Sequence, residues 1–219
     1  HSLGAGNPIF ISPWRHRREL GSFILDMAVH FTHMIRYQLG DFVEVYADAR
    51  MVEQERQKSA SMSMDYAFYK RRFAAMPERV SAAAEDMTQA VFKMESGATL
   101  NWLVGIGGHA SAHRELIMGH EGSIEGFGVR GGRVVLRRYG AEDMSQEQIL
   151  ESAEGDGLVF DPLTRYLFPS GVADGDPLVD LKLIAYELHE MAEAVRGKRD
   201  VEVDGACGLK DVAALYAVF

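Results

Sequence analysis

Cysteine is all but missing: Cys207 is the only one in 219 residues. A single thiol can neither close an intrachain disulfide nor build a zinc ribbon, and its isolation fits a reducing compartment. No apolar run approaches the roughly 20 residues that span a bilayer. Residues 1–12 lack the basic-then-apolar order of a signal peptide, so a cytoplasmic location without membrane attachment is expected. Positive charge is in deficit too. Against 32 Asp and Glu stand 23 Lys and Arg, a formal net charge of −9, which repels phosphate backbones and argues against nucleic acid as a partner. An initiating Met is absent, and the chain stops at Ala217-Val218-Phe219 inside an apolar pattern. Both ends read as cut, and a fragment is expected.

What is there is enough chain for one large domain or two small ones. Ile24, Ala28, Phe31, Ile35 and Leu39 recur at spacings of four, three, four and four. This predicts a helix over 20–39 with one apolar stripe, ended by Gly40. Residues 42–51 then alternate, with Val43, Val45, Ala47, Ala49 and Met51 on one face, as in a half-buried strand. Residues 53–84 are polar and lack a strand pattern. They read as an excursion with a short helix around 66–75, a long insertion of the kind that is often functional. Strands are predicted at 87–94 and 98–106 around the turn Glu95-Ser96-Gly97, and at 113–119, 123–127 and 133–138. A second excursion covers 139–175, with a short helix near 145–152. Leu178, Leu181, Ile184, Leu188, Met191 and Val195 follow helical spacing over 177–196, and a last helix starts at 207. The sum is an α+β architecture: a largely antiparallel open sheet with helices on one face.

Four motifs carry a resemblance. The first is Gly21-Ser22-Phe23-Ile24-Leu25-Asp26-Met27-Ala28-Val29-His30, followed by Leu39-Gly40 and a Val-rich strand. The second is Glu85-Asp86 with Phe92 and Glu95-Ser96-Gly97-Ala98. The third is His113-Arg114-Glu115 through Gly119-His120-Glu121-Gly122-Ser123-Ile124. The fourth is Gly205 with Gly208-Leu209-Lys210-Asp211. In this order the chain resembles the C-terminal domain of the Gfo/Idh/MocA oxidoreductases over residues 10–219. The resemblance implies a linker at 1–19, then a substrate-binding and oligomerisation domain at 20–219. The Rossmann domain of the family, and the Lys of its Glu-Lys-Pro motif, have no counterpart in this chain. No Gly-x-Gly-x-x-Gly lies between a strand and a helix; Gly105-Ile106-Gly107-Gly108 comes nearest and lacks the third spacing. NAD or NADP is therefore expected for the full-length enzyme, with no cofactor-binding residue here and none bound by the fragment. Ala28 departs from the family's Gly.

Asp26 and His30 lie four apart, on one helix face about a turn from each other; His33 and Tyr37 extend that polar stripe. Oxidising a secondary alcohol needs a base for the hydroxyl proton. A His titrates near neutrality, and a carboxylate beside it favours the imidazolium. By the resemblance, His30 is the proton-transfer residue and Asp26 its partner or an acceptor for a substrate hydroxyl; His33 and Tyr37 read as structural. Trp14, Arg15, His16, Arg17 and Arg18 precede the helix, where the family places substrate contacts. Arg forks suit carboxylates or phosphates, and Trp suits the apolar face of a sugar. The expected substrate-binding set is Trp14, Arg15, Arg17, Arg18 and the loop residue His109. His109 and His113 have His-x-x-x-His spacing but no third ligand, so no metal site is expected. The leading expectation is the substrate-binding half of an NAD(P)-dependent oxidoreductase acting on a sugar or polyol. The alternative is a non-catalytic module that assembles homo-oligomers through an open sheet face, with Leu100, Trp102, Val104 and Ile106 as the contact.

Overall fold

A computed structural model describes residues 2–5, 8–9, 13–58, 67–105, 111–128, 130–172, 175–197 and 199–219. Two short strands, β1 (Ser2–Ala5) and β2 (Pro8–Ile9), come first, then 3-10 turns at Pro13–His16 and Arg18–Leu20. Next are α1 (Phe23–Leu39), β3 (Phe42–Arg50), β4 (Glu55–Lys58), α2 (Ala67–Ala74) and β5 (Arg79–Ser81). The hairpin β6 (Met87–Met94) and β7 (Thr99–Gly105) leads to β8 (Ser111–Arg114), β9 (Leu116–Met118), β10 (Gly122–Glu125), β11 (Val135–Arg138) and β12 (Met144–Ser145). Four helices close the order: α3 (Gln146–Gly155), α4 (Pro162–Leu167), α5 (Val179–Val195) and α6 (Gly205–Tyr216). The chain forms two compact units, residues 1–113 with 206–219, and residues 114–205.

The first unit holds a five-stranded sheet in the order β3-β6-β7-β1-β8 and a small sheet β2-β4-β5. The β3–β6 and β6–β7 pairs are antiparallel, with Ala47 opposite Ala90 and Ala90 opposite Trp102. Strand β1 runs parallel to β7, and β2 parallel to β4, so the stretch expected as a linker supplies strands. Glycine makes the hairpin: Gly97 has φ 86°, and the Met94 N–H donates to the Ala98 carbonyl.

Helix α1 begins where Ser22 Oγ accepts from the Leu25 N–H at 3.2 Å, an N-cap that satisfies an otherwise open donor. It ends at Gly40, φ 87°, whose N–H returns to the Arg36 carbonyl. Its stripe Phe23, Ile24, Ala28 and Ile35 is buried with Ala90, Phe92, Met94, Leu100, Trp102 and Val104 of the hairpin and Leu215 and Val218 at the chain's end. One sheet face is thus covered by α1 and the last helix. This corrects the expected assembly face. Leu100, Trp102 and Val104 are core residues, because strand alternation turns them toward the helix; Ile106 lies outside the described residues. The uncovered face of the same strands carries Thr99, Asn101 and Leu103, with Gln89, Val91 and Lys93 beside them.

The strands predicted as one continuous sheet divide after residue 114. In the second unit β9 to β12 form a separate antiparallel sheet, order β12-β11-β10-β9. Ser145 starts α3 with a reciprocal capping box to Gln148. Helix α5 buries only Val179, and its stripe Leu181, Ile184, Leu188, Met191 and Val195 is exposed. Among the described residues no helix is long and apolar enough to cross a membrane.

Candidate active site

The polar face of α1 is divided among three different neighbours. At its start, Asp26 Oδ2 meets Arg15 Nη2 at 2.7 Å, with both side chains mostly buried. Arg15 also lies over the Trp14 indole, 5.4 Å from its centroid. Near its end, His33 Nδ1 is 2.9 Å from Asp211 Oδ2, and Arg36 Nε donates to Asp211 Oδ1 at 2.8 Å. Between them His30 is exposed. No hydrogen bond joins it to Asp26 among the described residues, and Asp26 is brought to Arg15 instead. Tyr37 is exposed as well.

The loop that carries Trp14 and Arg15 is anchored from beneath by a network that sequence reading missed. His16, Arg56 and Asp86 are all wholly buried. Arg56 Nη1 lies 2.8 Å from His16 Nδ1, and Arg56 Nη2 donates to Asp86 Oδ2 at 3.1 Å and to the Ala84 carbonyl at 2.9 Å. Asp86 in turn accepts from the Val52 and Glu53 N–H groups at 2.7 and 2.8 Å. The Ala83 N–H donates to the His16 carbonyl. A guanidinium only donates, so His16 Nδ1 must accept and the ring proton sits on Nε2. Burial first, then the charges of Arg56 and Arg15, lower the His16 pKa to about 4, so this ring is neutral at pH 7. The signal for Asp86 was present in Glu85-Asp86; nothing in Glu55-Arg56-Gln57-Lys58 marked Arg56 as interior.

The other basic residues of the loop are paired as well. Arg17 Nε donates to Glu19 Oε1 at 2.7 Å, and Arg18 Nη1 is 3.2 Å from Glu85 Oε1. His109 lies outside the described residues, and the exposed His113 ring meets the buried Phe31 at 5.8 Å.

His33, Cys207 and Asp211 place ligand atoms within 4.8 Å of one another. Arg36 already puts a cation there: its Nη2 donates to Cys207 Sγ at 2.7 Å and to Asp211 Oδ2 at 3.3 Å. The group reads as an ion-paired link between α1 and α6. Asp211 raises the Arg36 pKa further, so the guanidinium stays charged.

Residues 4–125 match the GFO/IDH/MocA C-terminal domain. The chain belongs to that family. No curated protein matches it. Among solved structures, levoglucosan dehydrogenase in complex with NADH and levoglucosan is similar at 17% identity and a TM-score of 0.65; the match covers 99% of this chain and 54% of that one. An NAD-binding oxidoreductase from Klebsiella pneumoniae matches at 20% identity and TM-score 0.62, covering 99% and 54%. An oxidoreductase from Agrobacterium radiobacter, in complex with NAD+, L-tartaric acid and magnesium, matches at 17% and 0.59, covering 98% and 51%. These likenesses carry the fold, and the GFO/IDH/MocA chain here spans about half the length of the structures it matches. The start of α1 does not form a dinucleotide-binding turn. Such a site needs a glycine turn between a strand and a helix N-terminus. Here α1 follows a 3-10 turn, and the N–H of Leu25 in its first turn is already taken by Ser22.

Proposed function

We propose that this chain is the substrate-binding half of an NAD(P)-dependent oxidoreductase that acts on a secondary alcohol of a sugar or polyol. The observation that carries this reading is the gathering of Trp14, Arg15 and Asp26 at the start of α1, one turn from an exposed His30, in a family of oxidoreductases. Removing hydrogen from an alcohol requires a hydride acceptor and a proton acceptor. The residues here serve the second. Asp26 and Arg15 hold hydroxyl groups, Trp14 offers a flat apolar wall, and His30 takes the hydroxyl proton at a ring nitrogen. His33 is committed to Asp211 and belongs to the scaffold. Of Arg17, Arg18 and His109, the first two serve as outer contacts of the same loop; His109 is kept as a substrate contact on its sequence position alone. The nicotinamide cofactor belongs to the other half of a longer protein.

The test uses that longer protein, with sugars and polyols screened for cofactor reduction. His30→Ala should lower turnover about a hundredfold or more, the usual scale for a lost acid–base group, while leaving the melting temperature unchanged because the side chain is exposed. In parallel, the 219-residue chain alone should give no saturable calorimetric signal with NAD or NADP. Wild-type turnover in His30→Ala sinks the site assignment, and tight dinucleotide binding by the chain alone sinks the half-enzyme reading.

A further inference from the structure

The ligands of the structural relatives differ in charge: levoglucosan is an uncharged sugar and tartaric acid a diacid. The charge pairing of the Trp14–Arg18 loop discriminates between these classes. We propose that the site selects an uncharged polyhydroxylated substrate over a sugar acid, with the Arg15–Asp26 pair as the specificity element. This rests on the dehydrogenase reading above.

Read singly, Arg15, Arg17 and Arg18 look like a site for a carboxylate. In the fold each guanidinium faces its own carboxylate: Arg15 meets Asp26, Arg17 meets Glu19 and Arg18 meets Glu85. Three positive and three negative charges leave the loop neutral. The outer two pairs are exposed on the arginine side and weakly held. The Arg15–Asp26 pair is mostly buried, so solvent screens it less. A substrate carboxylate accepting from the remaining N–H groups of Arg15 would lie beside the Asp26 carboxylate, like charge against like. The net charge of −9 over the chain adds a long-range repulsion of the same sign.

A neutral diol meets the opposite situation. Each hydroxyl both donates and accepts. A bound pair of a guanidinium and a carboxylate presents remaining N–H donors beside the second carboxylate oxygen, the complement of two adjacent hydroxyls. The pair need not break to bind them. Trp14, under Arg15, supplies the apolar surface that the C–H face of a sugar ring prefers. The geometry is held in advance. His16 ends the same 3-10 turn, and the buried Arg56–Asp86 network fixes it. Arg15 therefore cannot follow an anion far from Asp26 without pulling on a loop whose next residue is locked in the core.

The experiment is ligand-observed NMR on the 219-residue chain, with D-glucose against D-glucuronate, D-galactose against D-galacturonate, and levoglucosan. At low salt each neutral sugar should bind at least tenfold more tightly than its acid. Raising the ionic strength should strengthen the acids and leave the neutral sugars unchanged, since only the acids meet repulsion. Asp26→Asn keeps the shape and frees the Arg15 charge, so the preference should reverse: acids gain tenfold or more and neutral sugars weaken. Circular dichroism confirms that this variant is folded, and the salt series on wild type stands by itself if it is not. Acids that bind as well as their neutral partners in wild type, or no sugar binding at millimolar concentration, would overturn the proposal. Oxidation of an acid by the longer protein would overturn it while leaving the dehydrogenase reading intact. Selective binding of neutral sugars without any oxidation would do the reverse.

Discussion

His16 lies wholly buried against Arg56, and its pKa falls from an ordinary 6.5 to about 4. The unfolded chain therefore takes up this proton first as pH drops. Above pH 6.5 neither state is protonated and the network contributes fully. Between 6.5 and 4 only the unfolded state gains the proton, so stability is lost over that window, by about 3 kcal/mol in all. Urea melts at pH 7, 5.5 and 4 should show the loss. His16→Asn, which keeps an acceptor for Arg56 but cannot titrate, should flatten that part of the profile; an unchanged slope would mean that other groups carry it. A buried ionic residue of this kind is the hardest to read from sequence. Arginine is seldom interior, and only the meeting of Arg56 with Asp86, thirty residues on, makes its burial tolerable. Asp26 taught the same lesson on the surface of α1. Helical spacing put it near His30, and a loop eleven residues earlier claimed it.

At the level of elements, α1 was legible because its pattern and its cap agree. The apolar stripe has helical spacing, and Ser22 and Gly40 bracket it. Ser22→Ala should cost about 1 kcal/mol through the lost cap. Ile24→Asp places an unpaired carboxylate in the core and should prevent stable folding. Thermal melts of the two variants check the contrast, and a mild Ile24→Asp phenotype would mean that the stripe is not the core. The β6–β7 hairpin was legible for similar reasons, as alternation met a glycine turn. Strands β4 and β5 were not. Glu55-Arg56-Gln57-Lys58 has polar residues on both faces, so its alternation carries no hydrophobic signal, and its partners β2 and β5 supply the hydrogen bonds that define it. The short α4 had only a local cue, Asp161 capping Leu163 ahead of Pro162.

For the whole molecule, the uncovered sheet face is where we expect self-association. Tyr46 is 80% exposed, with Val91 opposite it in register and Leu103 on the next strand. Sedimentation should show an oligomer at micromolar concentration, and Tyr46→Glu should weaken it at least tenfold by putting charge into the contact. A wild-type monomer at a hundred micromolar would sink the expectation. The α+β class was readable from periodicity, because a helical or strand pattern is a local property of neighbouring residues, and the family from the resemblance carried by four motifs in order, which survives any folding. The loop charges, the helix spacing of Asp26 and His30, and the deficit of positive charge were equally written in the sequence. Which face of the hairpin is bare, where the strands divide into three sheets, and which carboxylate neutralises which arginine were not. Each depends on contacts between residues distant in the chain, set by close packing of α1 and the last helix on β6 and β7 and by the need to pair every buried charge.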